Sequence, residues 1–156
     1  MGSTIRMVAE IGLLISASVA VARAAPPGDA CSLLDAAQVS AALGSAVSDG
    51  QAVGRKLCMW KATATAKNGS MPRVALTIGD AQKFAYAKMP LPDAKITKAP
   101  LSGVGDEAVY GTTAGQLASI NVRKGSSYFA ISVNGVSMDK AQALVTQLAK
   151  EALAKL

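Results

Sequence analysis

Histidine is absent from this chain and aromatic residues are few, and each shortage narrows what the protein can do. The 156 residues include one Trp, three Tyr and two Phe. Histidine is the commonest general base and the commonest protein ligand for metals, so histidine-based catalysis and His-ligated metal sites are excluded. The sequence therefore predicts no catalytic residue, no metal site and no cofactor. The core has to be built mainly from aliphatic and alanine side chains.

The N-terminal apolar stretch is too short to span a bilayer, which takes about 20 residues. It covers residues 11–22 and follows Arg6, which supplies the positive charge that precedes the apolar part of a secretory signal. Residues 22–24, Ala-Arg-Ala, match the small-residue pattern of a cleavage site. We predict that residues 1–24 are a signal peptide and that residues 25–156 form a single domain. The product is then periplasmic or secreted, without a stable membrane anchor.

Acidic residues are slightly fewer than basic residues. Without residues 1–24 the chain keeps 132 residues, with 14 Lys and Arg against nine Asp and Glu spread along its length. A nucleic-acid-binding surface needs clustered positive charge, so no nucleic-acid partner is predicted. The small excess suits weak attraction to anionic surfaces of the bacterial envelope. The predicted partner is an unknown envelope protein or glycan.

Cysteine is limited to Cys31 and Cys58. An even number of cysteines in an exported chain predicts a disulfide bond between them. The bond would close a loop of about 28 residues and contribute about 3.5 kcal/mol in the chain-entropy treatment. A redox-active pair normally has the Cys-x-x-Cys spacing, which this pair lacks. A structural disulfide is therefore the favoured interpretation.

Helix signals are clear at both ends of the predicted domain. Asp35 and Gln38 form a capping box and Gly44 is a C-terminal stop, which together predict a helix over residues 36–43. Ser137 is the predicted N-cap of a long C-terminal helix. Apolar residues recur along that helix at helical spacing: Ala141, Leu144, Val145, Leu148, Ala152 and Leu153.

Alternating patterns between these helices predict strands. Cys58 and Trp60 share one face of the first strand, and a turn around Gly125 joins two later strands into a hairpin. A short helix is predicted after Asp80, and residues 89–105, which contain three prolines and two glycines, are predicted to be irregular. The sum is an α+β fold in which helices pack on one face of an antiparallel sheet.

The outward face of that sheet is the candidate binding site. Alternation places Lys61, Arg73, Arg123 and Tyr128 opposite the buried side chains. Cationic side chains and one phenol on a broad polar face can receive a glycan, an anionic polymer or a protein. The predicted function is a non-enzymatic binding or interaction domain of the envelope, in which either this sheet face, with these four residues, or the loop at residues 89–105 makes the contact. An ordinary solvated sheet face is the alternative interpretation.

Two other functions remain open at this point. A disulfide-bonded scaffold of this size suits an inhibitor of a secreted enzyme such as a lysozyme or a protease. A small hydrolase or transferase would have to work without an imidazole, using Ser or Tyr groups or the carboxylates of Asp106 and Glu107, which follow Gly103 and Gly105. Because adjacent residues of a strand point to opposite faces, these carboxylates do not form an obvious acid–base pair, and a glycine-rich turn is the favoured interpretation.

Four short motifs are similar to those of a known group of proteins. They are Cys-x-Leu-Leu at residues 31–34, Leu-Gly at 43–44, Cys-x-Trp at 58–60 and Gly-x-Gly-Asp-Glu-Ala at 103–108. The pattern resembles a family of small exported domains of unknown function, many of them lipoproteins, from actinobacteria and other bacteria. The resemblance implies an α+β fold and no catalytic residues. This chain departs from the lipoprotein members because no lipobox precedes Cys31.

Overall fold

The computed structural model describes residues 28–66, 69–90 and 95–156, so the predicted signal peptide lies outside the described residues. A short 3₁₀ helix spans Ala30–Ser32. The α-helices are α1 (Ala36–Leu43), α2 (Gln82–Lys88) and α3 (Met138–Leu153). The strands are β1 (Gln51–Val53), β2 (Leu57–Lys61), β3 (Arg73–Asp80), β4 (Ile96–Leu101), β5 (Glu107–Thr113), β6 (Leu117–Lys124) and β7 (Ser127–Asn134).

These strands form one antiparallel sheet in the order β1-β2-β3-β7-β6-β5-β4. Most neighbours in the sheet are also neighbours along the chain, since β1 to β3 form one meander and β4 to β7 form another. Pairing of β3 with β7 joins the two meanders. The hairpin between β6 and β7 turns at Gly125 and Ser126, as predicted. The α+β class and the antiparallel sheet are confirmed.

One face of the sheet, here called the core face, carries most of the buried apolar side chains. Alternate residues of the central strands point to it and are fully buried, among them Leu76, Ile120 and Ile131. The apolar stripe of α3 packs on this face, and α1 packs against α3. Each buried aliphatic side chain of this size stabilises the fold by about 1.5–3 kcal/mol relative to an exposed one.

The opposite face of the sheet carries helix α2 and is here called the α2 face. Phe84 is the buried residue of α2, and it packs with Val109 and Tyr128, whose side chains alternate with those of the core face. Lys98 fastens the end of the helix, because its Nζ donates hydrogen bonds of 2.7 Å to the carbonyl oxygens of Ala87 and Met89. Helices α1 and α3 therefore share one face as predicted, and α2 lies on the other.

The predicted helix ends are present for α1. The Gln38 N–H donates to Asp35 Oδ1 at 2.8 Å, and the Asp35 N–H donates to Gln38 Oε1 at 3.0 Å. Gly44 follows with a φ of 67°, a left-handed conformation that glycine adopts without steric penalty. Ser137 precedes α3 as predicted. The N-cap of α2 is Ala81 and not Asp80, whose carboxylate accepts from the Gln82 N–H at 3.2 Å.

The predicted disulfide joins Cys31, in the 3₁₀ helix, to Cys58, the second residue of β2. Cys58 and Trp60 are both buried on the core face, as their shared strand parity predicted. Gly50 lies against them, since a Cβ built there would be 2.8 Å from Cys58 Sγ and 2.9 Å from Trp60 Nε1. The bond ties the start of the described chain to the sheet.

Residues 89–105 are not irregular throughout, because β4 lies within them. The prediction was wrong at this strand since Pro100 suggested a break in regular structure. Among the described residues β4 pairs only with β5, which makes it an edge strand, and a proline is tolerated at an edge where its missing N–H is not needed. Edge position depends on tertiary pairing and is not visible in a local pattern.

Candidate functional site

The structure separates the four predicted binding residues into two pairs on the α2 face. Lys61 lies directly opposite Arg73 across β2 and β3, and Arg123 lies directly opposite Tyr128 across β6 and β7. Asn134 is the β7 partner of Arg73 and is six residues from Tyr128. At about 3.3 Å per residue, the two pairs are therefore about 20 Å apart along the strands. They do not form one contact surface.

Tyr128 is covered by α2. Its side chain is 9% exposed and packs with Phe84 and Val109. Its hydroxyl donates a hydrogen bond of 2.7 Å to Asn121 Oδ1, and burial raises the pKa of the phenol. The ring therefore anchors α2 to the sheet, a role that alternation could not reveal because it depends on where the helix docks.

Arg123 belongs to an ion cluster formed by Lys88, Asp106, Glu107, Arg123 and Lys124. Its Nη2 is 2.8 Å from Glu107 Oε1, and its Nη1 is 3.9 Å from Asp106 Oδ2. Lys88 Nζ contacts the other Glu107 oxygen at 2.9 Å, and Lys124 Nζ contacts Asp106 at 3.3 Å. Arg123 is thus already paired with carboxylates within the fold, which makes it a poorer ligand-binding group than a cation without an ion pair.

Asp106 and Glu107 serve this cluster as anions. Hydrogen bonds from the Gly125 backbone and from Lys124 lower the pKa of Asp106, and those from Lys88 and Arg123 lower the pKa of Glu107. The Gly125 N–H donates to Asp106 Oδ2 at 2.7 Å, which attaches the glycine-rich turn to the β6–β7 hairpin. A general acid near neutral pH needs a raised pKa, and both of these values are lowered. This supports the interpretation of the glycine-rich segment as a structural turn.

Acid should weaken the fold through these two carboxylates. A carboxyl with a lowered folded-state pKa contributes stability above its unfolded pKa and loses it as pH falls through the folded value. Ordinary values are about 3.9 for Asp and about 4.3 for Glu, so the loss should begin below about pH 5. We expect the Asp106→Asn/Glu107→Gln variant to be less stable than wild type at neutral pH and to lose less stability on acidification. Urea midpoints measured across the acid range test this.

Asp49→Asn is the matched control, because Asp49 is an exposed carboxylate outside the ion cluster. Its urea midpoint should follow that of wild type at every pH. A double variant that loses as much stability in acid as wild type would contradict the assigned role of the cluster.

Lys61 and Arg73 differ from Arg123 in having no ion pair within the described ranges. The next pair along β2 and β3 is Ala62 and Pro72, joined by a ladder hydrogen bond of 2.9 Å from the Ala62 N–H to the Pro72 carbonyl. Since hydrogen-bonded and non-hydrogen-bonded pairs alternate in antiparallel sheets, Lys61 and Arg73 form the closer, non-hydrogen-bonded kind. Like charges directly opposite one another destabilise a sheet.

A cavity of about 290 Å³ opens beside this pair on the α2 face. Two adjacent cross-strand rows supply its side chains: Lys61, Arg73, Asn134 and Leu117 in one, and Gln51, Met59, Ala75 and Ser132 in the other. We call this set the open surface. It combines two cations, three hydrogen-bonding side chains and three apolar side chains, so it can bind an anion and an apolar group together.

Sequence reasoning missed Gln51 and Leu117. The β1–β2 hairpin that presents Gln51 turns at Gly54, whose φ is 62°, but β1 has only three exposed residues and no alternation to identify it. Leu117 is the first residue of β6, one residue before Ala118, where the alternating pattern of this strand begins in the sequence. One signal for Leu117 was available in the sequence: it is apolar, whereas the other residues on the same face of its strand are polar.

A larger cavity of about 790 Å³ lies between the C-terminal end of α1 and the first turns of α3. Its charged lining residues are Asp139 and Lys140, which are adjacent along α3 and opposite in sign. Their fields largely cancel, so this cavity has no net charge with which to select a ligand. The open surface, although smaller, is therefore the better candidate for a binding site.

Neither known proteins nor other kinds of site among the described residues compete with the open surface. No protein family, curated protein or solved structure matches this chain. Among the described residues, no three His, Cys, Asp or Glu side chains are grouped to hold a metal ion. No helix in the same part of the chain is long and apolar enough to cross a membrane. The resemblance to small exported domains stays a prediction.

Proposed function

We propose that this protein is an exported, non-enzymatic binding domain of the bacterial envelope, and that its partner contacts the open surface around Lys61 and Arg73. A disulfide suits an oxidising compartment such as the periplasm or the extracellular space. The disulfide and the continuous sheet make a rigid platform, which reduces the entropy lost on binding.

The observation that carries the proposal is the directly opposed Lys61–Arg73 pair. Such a pair lowers stability, and no carboxylate lies within 4.0 Å of either cation among the described residues. Elsewhere on the same face, Arg123 is paired with two carboxylates. An anionic partner would supply the missing counter-charge at Lys61 and Arg73, which is how binding sites commonly trade stability for function.

Charge reversal at one member of the pair gives opposite expected effects on binding and stability. Arg73→Glu should reduce retention of the mature, oxidised protein on native envelope extract about tenfold, because one favourable contact becomes repulsive. The same change should raise the free energy of unfolding by about 0.5 kcal/mol, because Lys61 then faces an opposite charge. Binding to immobilised extract and urea unfolding measure the two effects.

Lys95→Glu is the matched control, since it makes the same change in net charge at an exposed lysine just before β4, at the far edge of the sheet. It should leave retention nearly unchanged. Equal losses in the two variants would assign retention to net charge, and unchanged retention of a folded Arg73→Glu variant would remove this surface as the binding site.

A further inference from the structure

We infer that the open surface binds an oxyanionic head group that carries a short apolar tail. The inference rests on the proposed function and names the chemistry of its ligand. Cation pairing alone would indicate any anion, but the cavity also presents Met59 and Leu117 beside the charges. Positive charges and apolar side chains in the same cavity favour an amphiphilic ligand.

Lys61 and Arg73 supply the two positive charges that would hold the head group. Arginine has a planar fork of N–H donors that matches the two oxygens of a carboxylate or phosphate, and lysine adds a compact second charge. Asn134 follows Arg73 in the same cross-strand row, and Ser132 lies in the next row on the same strand. An amide and a hydroxyl at these positions can complete the hydrogen bonds of an oxyanion.

Met59 and Leu117 supply apolar side chains on two sides of the cavity, since Met59 lies on β2 and Leu117 on β6, with β3 and β7 between them. Met59 is 38% exposed although it lies in the middle of β2, and Leu117 is half-buried at the start of β6. An unbranched thioether adapts to ligands of different shape, which suits a tail of variable structure. A volume of about 290 Å³ lies at the lower end of the range for small-molecule sites, so a head group and a short chain fit.

Titration with defined amphiphiles tests the inference on the mature, oxidised protein. The probes are hexanoate, hexyl phosphate, inorganic phosphate and hexylammonium, each followed by backbone amide chemical shifts. We expect saturable shifts centred on Met59, Arg73 and Ser132 with hexanoate or hexyl phosphate. The tighter of the two identifies the head group as carboxylate or phosphate, and hexyl phosphate should bind about tenfold more tightly than inorganic phosphate because of its buried methylenes.

Neutral variants test whether the two cations hold the head group. Lys61→Gln/Arg73→Gln should weaken binding of the tighter amphiphile about tenfold, since two exposed charge contacts are lost. Lys95→Gln/Lys140→Gln removes two exposed lysines elsewhere and should leave the affinity unchanged. Equal weakening in both double variants would overturn the inference.

Other results would also overturn it, and they differ from failure of the proposed function. If hexylammonium bound as tightly as hexanoate, the site would not select an anion. If hexyl phosphate and inorganic phosphate bound with equal affinity, the apolar tail would make no contribution to binding. If Arg73→Glu loses envelope retention while neither hexanoate nor hexyl phosphate binds, the ligand chemistry is wrong and the binding function stands. If an amphiphile binds at Arg73 while retention is unchanged, the site stands and the envelope function fails.

Discussion

Replacing Cys31 and Cys58 together by alanine should lower the free energy of unfolding by about 3.5 kcal/mol. The disulfide closes a loop between residues 27 positions apart, and that constraint acts on the unfolded chain. The loop contains α1 and β1, and its closure holds the 3₁₀ helix against β2. A loss of this size is a large fraction of the roughly 5–15 kcal/mol that stabilises a typical domain. Urea unfolding of the oxidised wild type and the double variant measures it.

Alanine is preferred to serine because Cys58 is fully buried, and a serine hydroxyl there would need a hydrogen-bond partner. The reduced wild type is the matched control, since it lacks the bond but keeps both sulfur atoms. It should unfold near the midpoint of the double variant. A reduced wild type that unfolds at the same urea concentration as the oxidised protein would show that the bond contributes no stability. Alkylation followed by intact mass measurement establishes the redox state in each sample.

The second large effect is expected at Gly105, the last glycine before Asp106. Gly105 has a φ of 63°, and a Cβ built on it would lie 2.6 Å from the Arg123 carbonyl oxygen and 2.7 Å from Val122 Cγ1. Alanine would therefore meet both the left-handed backbone penalty, about 1–2 kcal/mol, and a steric clash with β6, about 1–3 kcal/mol. We expect Gly105→Ala to lower the free energy of unfolding by about 3 kcal/mol, measured by urea unfolding.

Gly115 isolates the steric part of this effect. Its φ of 65° is nearly the same, but a Cβ there would meet no atom within 4 Å. Gly115→Ala should lose only about 1 kcal/mol, because the backbone penalty remains and the clash does not. Equal losses at Gly105 and Gly115 would mean that the close approach of the turn to β6 has no energetic consequence.

Features set by neighbouring residues were predictable from the sequence. The capping box at Asp35 and the stop at Gly44 bracket α1 at the residues expected, because a helix terminus is satisfied by groups within a few positions of it. The β6–β7 hairpin follows from two alternating segments joined by a glycine turn. Cys58 and Trp60 share the core face because strand side chains alternate with a period of two.

The candidate site was only half predictable for the same physical reason. Alternation correctly placed Lys61, Arg73, Arg123 and Tyr128 on the α2 face. It contains no information about what lies above a strand, so it could not distinguish the covered Tyr128 from the exposed Arg73. Nor could it show that Arg123 forms an ion pair with Glu107, since that contact depends on the pairing of β5 with β6.

Local chemistry along the sequence thus determined the helices, most strands, the Cys31–Cys58 disulfide and the side of the sheet to which each residue points. Tertiary structure alone decided that Pro100 lies in an edge strand, that α2 covers one end of the sheet face, and that Lys61 and Arg73 remain beside a cavity at the other. The division has a simple cause. Hydrogen bonding and side-chain alternation act over a few residues, whereas strand order and helix docking are chosen by the burial of apolar surface between distant segments.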